Sequence, residues 1–292
     1  MPPFTISNPL ALVEADQPAR TILWNISPAG KLTFFSLAAV VLLVFCLTLL
    51  WRIRIWLGGH LDGFELRRIG NHLTAFFVDA VALRKTNRDT RACLLHSLIF
   101  FGFLSLVFAT LVVGIDYHFD ISLFRGIFSQ LVSLGADLGG AALFAGCALA
   151  MSRRLESGQT FRTAKADLVL LLVLAFLVVQ GFLVEALRIA RLGEPHPLFS
   201  PAGALLSLFF WGLSPVSLER LHLFLWWLHA LSALGFIVLL PHTKLLHMFA
   251  ASANIFFAGT RPALPALDSP GDLEEIIADA GSGAVELNSR IG

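Results

Sequence analysis

Among the nine histidines of this chain, His222, His229 and His247 lie in a single long apolar run. Ionisable side chains at membrane depth are costly, which makes each of them a functional candidate. Eighteen residues separate His229 from His247, about five turns of helix and about 27 Å of rise. On an unbroken helix the two imidazoles share one face, one near each surface of a bilayer. Pro241 stands between them and is expected to kink the helix and turn that registration. His96 lies a turn inside another apolar run. If the two runs pack side by side, His96 and His247 meet at one depth. Two neutral imidazoles facing each other across a bundle interior are suitable axial ligands for a low-spin haem iron. Gly102, six residues further on, is expected to leave room for the macrocycle. A lone intramembrane histidine more often bonds a neighbouring helix or lines a polar cavity; the depth-matched pair is what favours ligation.

The remaining polar groups sort by position. His118 and His222 fall toward the opposite ends of their runs from His96 and His247, where either can serve an outer haem or a quinone. Gln180, Glu185 and Arg188 cluster near the end of a third run and are candidates for a quinone site, although Glu185 and Arg188 are also spaced to pair on one helix face. His60, His72 and His196 lie in polar connections and read as solvated. His242 is about 140° around the helix from His247 and is not expected to face the same haem.

These side chains need a scaffold at membrane depth, and the composition supplies it. The chain is 57% hydrophobic and only 14% charged, with a mean hydropathy of +0.78, where soluble domains are about a quarter charged. Five stretches are long and apolar enough to cross a bilayer: residues 32–51, 92–115, 126–151, 166–189 and 218–250. The expected fold is an all-α membrane bundle of five helices occupying residues 32–258, after a segment 1–31 and before a flexible tail 259–292. The short apolar run 202–213, between Pro201 and Pro215, reads as an interfacial or re-entrant helix. Basic residues gather after the first and third spans, from Arg52 to Arg91 and from Arg153 to Lys165. The positive-inside rule then puts the N-terminus outside and the C-terminus in the cytoplasm. Residues 73–83 alternate as an amphipathic helix suited to the cytoplasmic interface.

Cys46, Cys93 and Cys147 are far apart and offer no ligand set for zinc or an iron–sulfur cluster, so any cluster is expected to lie on other residues. The first 30 residues lack a basic stretch followed by an apolar one, so no leader is expected to be cleaved. Nothing suggests a nucleic-acid partner.

The run HLFLWWLH from His222 to His229, followed by PHTKLLH from Pro241 to His247 and NIFF from Asn254, resembles the last span of the nitrate reductase gamma-subunit superfamily, closest to the branch found with heterodisulfide-reductase-like iron–sulfur proteins. The segment RACLLHSLIFFGF around His96 is similar to that family's second span. The resemblance implies haem b held by His96 and His247 near the cytoplasm, with His229 as one ligand of an outer haem. This chain has Leu106 where the family's other outer ligand stands, leaving His222, His118, a five-coordinate iron or a single haem as the alternatives. It further implies quinone as substrate, and an iron–sulfur oxidoreductase as cytoplasmic partner or as a continuation of the chain. The function expected is electron relay between the quinone pool and that partner. A cofactor-free anchor for a soluble complex and a histidine-using proton or cation transporter are the rival readings; the transporter lacks the repeated halves expected of it.

Overall fold

Backbone polar groups have no water to bond in hydrocarbon, so long apolar runs close their own hydrogen bonds as helices. The computed structural model describes residues 23–57, 90–119, 126–156, 161–193, 196–248 and 250–251. All regular structure among them is helical: α1 (Pro28–Leu57), α2 (Thr90–Phe119), α3 (Gly126–Glu156), α4 (Phe161–Leu192), the short α5 (Pro201–Ser207) and α6 (Pro215–Leu239). Among the described residues five helical stretches are long and apolar enough to span a membrane: Pro28–Ile55, Cys93–Phe119, Gly126–Arg154, Asp167–Leu192 and Pro215–His242. The expected interfacial helix in 73–83, the residues His60 and His72, and the tail 259–292 lie outside the described residues.

Neighbouring helices run antiparallel. α2 packs along α3, α3 along α4 and α4 along α6, while α1 leans on α6 in the same direction. One end of the bundle therefore gathers the end of α1, the starts of α2 and α4 and the ends of α3 and α6; it is called here the His96 end. The other, the Pro28 end, carries α5.

The α2–α3 seam is built on small residues. A Cβ at Gly102 would stand 2.6 Å from the Gly139 carbonyl oxygen and 2.7 Å from the Leu143 nitrogen, distances that no side chain tolerates. The Ser105 hydroxyl donates across the same seam to the Gly135 carbonyl at 2.6 Å. Gly102 thus serves backbone approach to α3. The room expected beside it for a macrocycle is filled by α3. Leu143, Cys147, Leu171, Leu174, Val178 and Phe236 form the core between α3, α4 and α6. α1 presents Leu32, Val40, Leu43, Leu47, Leu50 and Trp51 outward, a face suited to lipid.

The last apolar run is not one helix. α6 ends at Leu239, where Pro241 removes a backbone donor and crowds the carbonyl four residues back. A 3-10 turn covers Leu240–His242, Thr243 is extended, and a second turn covers Lys244–Leu246 before helix resumes at His247. The Thr243 side chain starts that second turn by accepting from the Leu245 N–H at 3.3 Å. The expected face shared by His229 and His247 presumes a continuous helix, and the chain is broken between them.

Candidate functional site

The break delivers His247 to His96. Their ring centres are 6.3 Å apart, with the planes at 47°. Two imidazoles bound to opposite sides of one iron, each through a nitrogen about 2 Å from the metal, place their ring centres about 6 Å apart. α2 and α6 are not close-packed neighbours; α2 lies on α3, and α6 on α4 and α1. They meet through side chains, at this pair and at Phe103 and Phe236, whose rings are 6.2 Å apart. His96 lies against Phe100, nearly parallel at 6.2 Å.

His247 is oriented by its own turn. Its Nδ1 lies 2.6 Å from the Lys244 carbonyl oxygen, an acceptor only, so this nitrogen carries the proton and donates. In the neutral ring Nε2 then keeps its lone pair for a metal. The turn is itself tied to the neighbouring helices. Lys244 Nζ is 2.7 Å from Asp167 Oδ1 on α4, and Arg154 of α3 reaches the other oxygen of that carboxylate at 3.2 Å. Two imidazoles at this separation, one with its proton fixed on Nδ1, are a donor set that fits a haem held by His96 and His247.

His229 lies deeper and faces elsewhere. A Cβ on Gly181 of α4 would be 3.5 Å from its Cε1, and its ring reaches the Leu177 backbone. Its Nδ1 is buried without a partner. Leu106 of α2 is packed against the apolar core. No second histidine ring contacts His229 among the described residues. A paired-imidazole site like that of His96 and His247 is therefore not formed around His229 among the described residues.

Toward the Pro28 end the polar residues are largely used by one another. Glu185 accepts two bonds from Arg188, at 2.8 and 3.2 Å, and the side chains are only 17% and 12% exposed. The pair is covered by α5, where a Cβ on Gly203 would come 2.8 Å from Glu185 Cγ. The pairing that their spacing allows is thus formed, and it is largely buried. Gln180 is buried, with its amide nitrogen 3.5 Å from the Ser232 hydroxyl and its oxygen unpartnered. His222 is buried with its Nδ1 unpartnered, its ring 4.7 Å from Trp24. His118 stands apart from all of these, exposed beside Phe35, with Nδ1 2.9 Å from the Gly114 carbonyl oxygen. His242 is exposed and His196 lies by Phe199.

Two acids escaped the reading of the sequence. Asp137, in the middle of α3, is buried and accepts from the N–H groups of Ala202 at 2.7 Å and Gly203 at 3.3 Å, seating α5 on the bundle. A carboxylate inside an apolar run was the signal for it. Asp167 sits where a span was expected to begin, a position at which charge is unremarkable.

The profile of the family described as nitrate reductase gamma subunit matches residues 94–263, more than half of the chain. The chain is 28% identical to the "EtfAB:quinone oxidoreductase" of Syntrophomonas wolfei subsp. wolfei (strain DSM 2245B / Goettingen), over 85% of this chain and 36% of that protein. It is 24% identical to the "Probable iron-sulfur-binding oxidoreductase FadF" of Bacillus subtilis (strain 168), over 85% of this chain and 34% of the relative. The chain thus spans about a third of the length of these curated relatives. No solved structure matches it.

Proposed function

Because the chain belongs to the nitrate reductase gamma-subunit family, we propose that it is the membrane cytochrome b part of an oxidoreductase, with one haem b between His96 and His247, relaying electrons between quinone in the bilayer and an iron–sulfur protein at the His96 end. Family and relatives make it an electron-transfer membrane protein. The haem reading is carried by one observation, the 6.3 Å approach of two imidazoles from helices that do not otherwise pack closely.

When bound, haem supplies a one-electron couple. The protein's residues do the rest. The Lys244 carbonyl orients the His247 ring, and the apolar core around Leu143, Leu171 and Phe236 excludes water from the interior. Oxidation of one quinol to quinone releases two electrons and two protons. The electrons leave singly toward the iron–sulfur acceptor and the protons pass to water; run backwards, the same path reduces quinone. The arginines Arg52, Arg54, Arg153 and Arg154 gather at the His96 end, which by the positive-inside rule faces the cytoplasm. The iron–sulfur partner is placed there, in line with the iron-sulfur-binding relative.

A haem assay on the purified chain tests this reading. One b-type haem per chain is expected. A chain that folds and binds none is a cofactor-free anchor or a transporter, and the proposal fails.

A further inference from the structure

A charged side chain at the His96 end lacks the partner that its burial calls for. Arg52 lies near the end of α1, and its Nε is buried with no acceptor for its N–H among the described residues. At the same end of the bundle Lys244 and Arg154 both reach the Asp167 carboxylate. Taking a guanidinium N–H out of water without an acceptor is costly. α1 lies wholly before residues 94–263, which the family profile matches, so that match gives Arg52 no role.

The packing of α1 shows on which side Arg52 lies. α1 and α6 advance in step: Asn25 donates to the Glu219 carbonyl at 2.7 Å, the Phe34 and Trp226 rings are 5.1 Å apart, and Phe45 packs on the core cluster that holds Phe236 and Leu240. α1 also touches the turn Leu240–His242. Arg52 is seven residues past Phe45, two turns on along the same face and about 10 Å nearer the His96 end. Leu50 and Trp51 are 60% and 61% exposed, whereas Thr48, Leu49 and Arg52 are partly buried. Arg52 therefore stands on the inward side of α1, beyond the level of Leu240, where the turns after Pro241 bring His247 to His96.

Haem b carries two propionate carboxylates, and a carboxylate at membrane depth needs a cation. The imidazoles supply none, since a histidine binds metal as the neutral ring. A guanidinium presents a planar fork of N–H donors that matches the two oxygens of a carboxylate. We infer that Arg52 takes up a propionate of the haem held by His96 and His247, which makes α1 a part of the haem site. The inference rests on the reading of that pair as haem ligands and is independent of what is bound near His229. The charge of Arg52 also bears on the iron. A nearby cation disfavours the ferric state, which carries one more positive charge than the ferrous, so Arg52 raises the midpoint potential.

The test uses the full chain with haem bound, its propionates labelled with carbon-13, and infrared difference spectra between the reduced and oxidised forms. Arg52→Gln should shift the labelled carboxylate bands and lower the haem midpoint potential. Arg52→Lys, which keeps the charge, should stay closer to the unaltered chain on both readings. Arg54→Gln removes an exposed arginine two residues on and should leave the bands in place. Labelled bands that do not move in Arg52→Gln overturn the inference, as does a potential that falls no further in Arg52→Gln than in Arg54→Gln. Should Arg52→Gln fail to hold haem, a structure of the unaltered haem-loaded chain decides. The guanidinium of Arg52 within hydrogen-bonding distance of a propionate supports the inference; the same group on a phospholipid phosphate or on a protein carboxylate overturns it. Absence of haem from the unaltered chain fails the parent reading instead, and shows itself before any variant is made.

Discussion

The ammonium of Lys244 lies 2.7 Å from the Asp167 carboxylate, three residues before His247 and on the turn whose carbonyl orients that imidazole. After the break at Pro241, α6 no longer dictates where His247 points, so the tether to α4 helps to do so. Exposed ion pairs contribute only about 0–1 kcal/mol, and Lys244 is 61% exposed, so the effect should fall on geometry more than on stability. Asp167→Asn and Lys244→Met should each leave haem content near that of the unaltered chain but shift the haem midpoint potential and broaden its paramagnetic resonance signal. The double variant should go little beyond either single one, since both remove the same contact. Unchanged potentials and line shapes would remove Asp167 from any role in positioning the histidine.

Asp137 predicts a different response, local to α5. Its carboxylate takes up the N–H groups of Ala202 and Gly203, and a buried donor left without a partner costs about 1–3 kcal/mol. Asp137→Ala should raise amide exchange across residues 200–207. Asp137→Asn, whose amide oxygen still accepts, should fall between that variant and the unaltered chain. Exchange measured by mass spectrometry in detergent checks the order.

The two glycines of α2 should respond oppositely. Gly102 has the α3 backbone within 2.7 Å of any Cβ, whereas a Cβ at Gly114 meets nothing within 4 Å. Gly102→Ala should lower the thermal unfolding midpoint and the haem yield. Gly114→Ala should hold or raise the midpoint, since alanine is favoured over glycine by about 1 kcal/mol in a helix interior.

What the sequence disclosed follows from what a single residue can report. His96 and His247 stood out because an imaginable cost attaches to any imidazole at depth, and the five long helices followed from runs of apolar residues. Pro241 announced a kink, but the size of the interruption depended on Thr243 starting a new turn after it, a second local signal. Gly102 was misassigned because the purpose of a small residue resides in its partner, here Gly139 across the seam, and no spacing within α2 names that partner. Asp137 was legible as a carboxylate in an apolar run, yet its use became plain only when Ala202, 65 positions away, folded back over it. The burial of the Glu185–Arg188 pair likewise depends on α5 lying across it.

The most direct test compares dithionite-reduced minus oxidised spectra and haem content for the unaltered chain and for His96→Ala, His247→Ala and His229→Leu. Sharp b-type bands are predicted in the unaltered chain and in His229→Leu, and their loss in both His96→Ala and His247→Ala. Full haem content in either alanine variant, or no haem in the folded unaltered chain, would contradict the account.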